Sequence, residues 1–219
     1  MTKKTNYFEW AVKGIDFNDK IVCDIGVGPG FSSIYYCELN PEKIYAIEPS
    51  LGIGSHNTVY DKLIENISKN NLTHKIEPLR IDFLKNNFED NYFDITIGLN
   101  SLHHVIEISK EKVNLVNIDK RLDTLFAEMK RITKKDGKIV IWDLHSTTIW
   151  KYFPIRWRNI DWYLHPSLNT WIEAFERNFD GYQLYYQHIL RAPSTETIFN
   201  NKLSNMLLNP LFKVIINNK

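Results

Sequence analysis

The feature that most narrows the folds open to this chain is a junction. The apolar run Lys20 to Ile25 gives way at once to Gly26-Val27-Gly28-Pro29-Gly30, and a helix-patterned stretch, Ser32 to Leu39, follows. Glycine has no Cβ, so three glycines in five residues let the backbone turn at positive φ and bring its amides close to a ligand. A strand that ends in such a turn and feeds a helix is the first unit of a nucleotide-binding α/β fold.

The pattern continues along the chain. Strand-like runs at Lys43 to Glu48, His74 to Leu79, Phe93 to Leu99 and Lys138 to Asp143 alternate with the amphipathic stretches Val59 to Lys69 and Asp119 to Thr133. In the last of these Leu122, Leu125, Phe126, Met129 and Ile132 fall at helical spacing. Strand, helix, strand repetition predicts a parallel sheet covered on both faces. After Asp143 the rhythm breaks. Leu168 to Asn178 reads as a helix, and Tyr182 to Leu190 and Leu211 to Ile216 as strands. The irregular stretches 146–167 and 192–209 read as insertions that cap a substrate.

Bulk properties exclude several classes. A chain of 219 residues fits one domain spanning 1–219 with one sizeable core. Lys and Arg number 27 against 26 Asp and Glu, for a net charge of +1. That lacks the positive excess on which phosphate-driven affinity depends, so nucleic acid is not an expected partner. The N-terminus is polar and no run is long and apolar enough to span a bilayer, which gives a cytoplasmic expectation with no membrane partner. Cys23 and Cys37 have no Cys or His neighbour at metal-ligand spacing, and no metal is expected.

Two details choose among nucleotide-type ligands. A dinucleotide fingerprint wants glycine at the sixth position from Gly26, where this chain has Phe31. Asp24, two residues before the first glycine, suits a cationic amine better than a diphosphate. With Gly26, Gly28 and Gly30 it resembles the first motif of class I S-adenosylmethionine-dependent methyltransferases. Glu48 ends the next strand about twenty residues on, where a carboxylate accepts from both ribose hydroxyls. An NAD-dependent oxidoreductase would use it too.

The resemblance extends through residues 18–145. Asp82 matches the acidic residue near the adenine amino group, with Phe83 flanking the purine, although a surface-turn aspartate is a competing reading. Phe93-Asp94-Ile95-Thr96-Ile97-Gly98-Leu99-Asn100-Ser101-Leu102-His103-His104-Val105 resembles the fourth-strand motif of the family, with Asn100 beside the cofactor. The Asn-Pro-Pro-Tyr type sequence of enzymes that methylate amino groups of nucleic acids or glutamine is absent. The resemblance implies a Rossmann-like, doubly wound, mostly parallel sheet of seven strands, S-adenosylmethionine as cofactor and S-adenosylhomocysteine as product.

The methyl carbon of a sulfonium is already activated, so such an enzyme chiefly aligns the acceptor and removes water. A hydroxyl acceptor also needs a base. His103, His104, Asp143 and His145 stand at the carboxyl ends of the fourth and fifth strands, and His104 with Asp143 is the expected catalytic pair. Aromatics make up 13% of the chain, and Trp150, Tyr152, Arg156, Trp157 and Trp162 directly follow strand five. Aromatic faces stack on sugars, planar rings or amines, and an arginine holds an anion. The same segment reads equally as a satellite hydrophobic cluster or the contact surface of a homodimer. The function expected is methylation of a small-molecule acceptor, at a hydroxyl of a sugar-containing or aromatic metabolite. A small-amine N-methyltransferase, the NAD oxidoreductase and a non-catalytic partner subunit of the same fold are the alternatives.

Overall fold

The computed structural model describes residues 5–50, 58–106, 117–152, 160, 162, 165–186, 207 and 209–219, with backbone alone for 5 and 6. The elements run α1 (Thr5–Val12), β1 (Ile21–Ile25), α2 (Phe31–Cys37), β2 (Lys43–Ile47), α3 (Val59–Lys69), β3 (Ile76–Leu79), β4 (Phe93–Leu99), α4 (Leu102–Val105), α5 (Ile118–Ile132), β5 (Thr133–Leu144), α6 (Leu168–Asn178), β6 (Gln183–Tyr186) and β7 (Leu211–Asn217). Short 3-10 turns occupy Phe83–Lys85 and Ile149–Tyr152.

The seven strands form one sheet in the order β3-β2-β1-β4-β5-β7-β6. Neighbours from β3 through β5 are parallel, and β7 runs antiparallel to both β5 and β6. The order reverses between β1 and β4. In a doubly wound sheet the crevice outside the carboxyl ends opens at that reversal, so the Gly26–Gly30 turn and the residues after Leu99 face each other there.

Period-two alternation gives each strand two apolar faces. On one, Cys23, Ile25, Ile139, Ile141 and Phe212 pack against Leu122, Phe126 and Met129 of α5 and Trp171 and Phe175 of α6. On the other, Val22, Ile44, Ile97 and Val140 pack against Ala11 of α1, Tyr36 of α2 and Leu63 and Ile67 of α3. Fully burying a side chain of this size stabilises by roughly 1.5–3 kcal/mol. That accounts for the near-continuous apolar reading of the central strands, which are covered on both sides.

Two of the six tryptophans therefore serve the core: Trp171 is fully buried in α6 and Trp142 is buried in β5. The sequence pattern marks no element ahead of Lys20, yet α1 covers the sheet beside β5. β5 also starts five residues earlier than the expected Lys138. Its register against β4 slips between Phe93 and Ile95, and Asp136 takes a φ of 61° while its amide donates to the Asn218 carbonyl and the Asn218 amide donates to the Gly137 carbonyl. The Lys134–Gly137 turn is thereby absorbed as a bulge. Of the two expected insertions, only 146–152, 160, 162, 165–167, 207 and 209 fall within the described residues.

Candidate active site

The turn after β1 is held from three sides. The amides of Gly26 and Val27 donate to the carbonyl of Ile47 at 2.8 and 3.1 Å, tying the turn to the end of β2. Ser101 donates to the carbonyl of Ile25 at 2.6 Å. Gly26 has a φ of 67°, and a Cβ there would lie 2.5 Å from the Ser101 Cβ. Gly28 also has positive φ, 56°, but a Cβ there would meet nothing within 4 Å among the described residues. Gly30, at φ 85°, lies under Leu63 of α3, whose Cδ1 would sit 2.4 Å from a Cβ. Gly26 and Gly30 are thus packing glycines, and Gly28 borders no other described residue.

The acidic residues divide in the same way. Glu48 is buried and accepts from the Gly28 amide at 2.9 Å and from the Ser50 amide at 2.8 Å. Those two amides fix the carboxylate at the end of β2, beside the glycine turn. Asp24, 1% exposed, accepts at Oδ2 from both Ser32 and Ser33 at 2.8 and 2.6 Å. Burial pushes its carboxyl up to about 6, against the lowering pull of the two serine hydroxyls. An anion kept in so dry a place is stabilised by any cation that arrives beside it.

Asp82 caps the 3-10 turn by accepting from the Leu84 amide at 3.1 Å, and its side chain is 38% exposed. Phe83 corrects its expected role. It is only 2% exposed and lies in the core under the sheet, because the turn that presents Asp82 outward directs the next side chain inward. Asn100 follows β4 at φ 51° with its side chain exposed, and its amide donates to the Trp142 carbonyl at 2.5 Å.

Across the switch point the ends of β4 and β5 bring three buried side chains together. His103 Nδ1 lies 2.7 Å from Asp143 Oδ1, and the His103 amide donates to Asp143 Oδ2 at 3.3 Å. The His165 ring sits 4.1 Å from the His103 ring, centroid to centroid. Burial raises the Asp143 carboxyl, but the opposing pull of His103, His165 and the Leu144 amide leaves it below the usual carboxylate range. With Nδ1 turned to the carboxylate, Nε2 is the ring nitrogen left to take a proton from an acceptor. Burial pushes the His165 imidazole down to about 3, with the charge of His103 adding to the effect.

This corrects the expected pair: Asp143 is joined to His103, and the adjacent His104 is exposed with its ring 4.0 Å from that of His103. In the short helix α4 successive side chains diverge by about 100°, so only one of two neighbouring histidines turns toward β5. His145 is also redirected. It is fully buried, its Nε2 engages the Asn209 carbonyl at 3.0 Å, and burial holds it down to about 4. Trp150 is half-buried and Tyr152 is 73% exposed. Trp162 is half-buried with its ring 6.2 Å from His165. Arg156 and Trp157 lie outside the described residues.

His165, Ser101, Ser32 and Ser33 escape a reading of the sequence. His165 precedes Pro166 and the α6 N-cap Ser167, which accepts from the Thr170 amide at 3.1 Å. Ser146 donates its amide to the Pro166 carbonyl and Thr147 accepts from the Leu168 amide, both at 3.0 Å. Those bonds carry His165 to the end of β5. The His-Pro-Ser sequence ahead of a helix was the available signal, and it marks a helix start without saying what lies beside it.

A family model described as a methyltransferase domain matches residues 23–141, more than half of the chain. A SAM-dependent methyltransferase from Aquifex aeolicus superposes with a TM-score of 0.61 at 16% identity, covering 97% of this chain and 89% of that one. A geranyl diphosphate C-methyltransferase from Streptomyces coelicolor, solved with Mg2+, geranyl diphosphate and S-adenosylhomocysteine, gives 0.67 at 12% identity over 99% of this chain and 81% of that one. Among curated proteins, the histone-arginine methyltransferase CARMER of Drosophila ananassae is 37% identical over 75 residues, which cover 33% of this chain. The chain spans about an eighth of the length of that relative, 13%.

Proposed function

Because this chain belongs to the methyltransferase domain family, whose class I members use S-adenosylmethionine, we propose that it methylates a hydroxyl of a small sugar-containing or aromatic molecule, with His103 as the base. The observation that carries the reading is the buried 2.7 Å contact between His103 Nδ1 and Asp143 Oδ1 at the carboxyl ends of β4 and β5. A base aimed by a carboxylate suits a neutral hydroxyl, whose proton must leave as the oxygen attacks. An amine with a free lone pair needs no such device.

The donor half supports the same reading. The position of Gly28, where a Cβ would meet no described residue within 4 Å, the buried anion of Asp24 and the Glu48 carboxylate held beside the Gly28 amide fit the cationic amino acid end and the ribose of S-adenosylmethionine. When bound, that cofactor supplies an electrophilic methyl group. Glu48 would hold the ribose, Asp24 would offset the positive charge, and Asp82 would meet the adenine edge. His103 Nε2 would take the acceptor proton while Asp143 stabilises the imidazolium. Trp150 and Trp162, whose rings are half-buried, would stack on the acceptor.

The test is a transfer assay with labelled S-adenosylmethionine and paired acceptors that differ only in bearing a hydroxyl or an amine. Labelling of the hydroxyl members, with protection against heat by S-adenosylhomocysteine and none by NAD, supports the reading. Transfer confined to amines, or protection by NAD alone, overturns it.

A further inference from the structure

Three potential metal ligands meet at the end of β5: one imidazole nitrogen each from His103 and His165 and a carboxylate oxygen of Asp143 lie within 4.8 Å of one another. All three side chains are buried, at 4, 7 and 0% exposure. They come from α4, the segment before α6 and β5, elements far apart in the chain. No other group of this kind occurs among the described residues. From this convergence we infer that His103, Asp143 and His165 form a binding site for one divalent ion of the zinc type.

The pairing of His103 with Asp143 has an explanation within the proposed transfer reaction. The position of His165 does not. Its Nδ1 is buried and has no hydrogen-bond partner among the described residues, an unfavourable state for a polar atom. The imidazole faces its neighbour His103 at a 49° tilt. A cation held among the three side chains supplies a partner for the orphaned His165 imidazole.

The donor set selects the ion. Two imidazoles and one carboxylate suit zinc and its neighbours in the first transition row, whereas magnesium prefers oxygen ligands and retains water. Tetrahedral bonds of about 2.0–2.2 Å place ligand atoms roughly 3.3–3.6 Å apart. The 2.7 Å contact of His103 with Asp143 would open slightly and His165 would move inward, adjustments that side-chain rotation can make. Three protein ligands leave a fourth position for water or for an oxygen of the acceptor. The binding site itself does not depend on which acceptor the protein uses, although an ion there would occupy groups that the proposed base also needs.

The experiment uses untagged full-length protein treated with chelator and then dialysed against Zn2+ alone, with bound metal measured by mass spectrometry. Co2+ in a parallel sample reports coordination through its visible d–d bands. The expected result is one equivalent bound per chain, with tetrahedral cobalt bands, and loss of both in His165→Ala and Asp143→Asn. Should either variant lack a cooperative melt, His165→Gln and Asp143→Ser provide the same comparison. Failure of the wild type to retain metal, or retention of a full equivalent by a folded His165 variant, would overturn the assignment. S-adenosylhomocysteine protection of the same samples tests the cofactor reading separately.

Discussion

Ser101 occupies the place that a side chain on Gly26 would need: a Cβ at Gly26 would lie 2.5 Å from the Cβ of Ser101. Because Ser101 also donates to the Ile25 carbonyl, the start of the turn after β1 is locked to the end of β4. The two halves of the doubly wound sheet meet at this contact, and the cofactor crevice is built around it.

Gly26→Ala and Gly28→Ala should therefore separate stability from binding. Both positions have positive φ, for which a side chain costs about 1–2 kcal/mol. Gly26→Ala adds the collision with Ser101 and should lose about 3 kcal/mol or more in denaturant unfolding. Gly28→Ala should lose only the conformational part, while its methyl group weakens S-adenosylhomocysteine binding in calorimetry.

Asp24 predicts a pH dependence. Its carboxyl in the folded protein is raised to about 6 from an ordinary value of 3.8. The stability linked to this group is fully present below pH 3.8 and is lost as pH rises through about 6. The loss is on the order of 3 kcal/mol for the cofactor-free protein. Thermal melts across pH 4 to 7.5 should show Asp24→Asn gaining on the wild type as pH rises. The affinity of the wild type for S-adenosylhomocysteine should increase over the same window, and that of the variant should stay flat.

His145 gives the opposite sign. Burial depresses its imidazole to about 4 from 6.5, so its contribution is present above pH 6.5 and is lost as pH falls through about 4. The full effect is roughly 3 kcal/mol. His145→Gln, which retains a donor for the Asn209 carbonyl, should melt with less acid sensitivity between pH 6.5 and 4 and should keep its affinity for S-adenosylhomocysteine.

Activity should distinguish the two neighbouring histidines. With a hydroxyl acceptor, His103→Gln and Asp143→Asn should each lower kcat by about 10²–10⁴-fold, with cofactor affinity little changed. His104→Gln should have a much smaller effect, since His104 is exposed and Asp143 engages His103. Equal losses at His103 and His104 in steady-state kinetics would contradict this assignment.

Much of this architecture is legible in the chain itself. The strand boundaries Phe93 and Leu99 and the helix boundaries of α3 and α6 coincide with the apolar periodicity, because burial of one face or stripe is a local, repeating demand. The glycine turn and Glu48 are likewise legible, since a strand end and a positive φ leave a mark in residue type. The identity of the histidine beside Asp143 leaves none. His103 and His104 are equivalent in sequence, and only the rotation of α4 against β5 decides which ring reaches the carboxylate. Phe83 went to the core and His165 arrived beside β5 for the same reason. Spacing along a chain specifies a local backbone, while meetings between residues 40 or 60 positions apart are decided by how the elements pack.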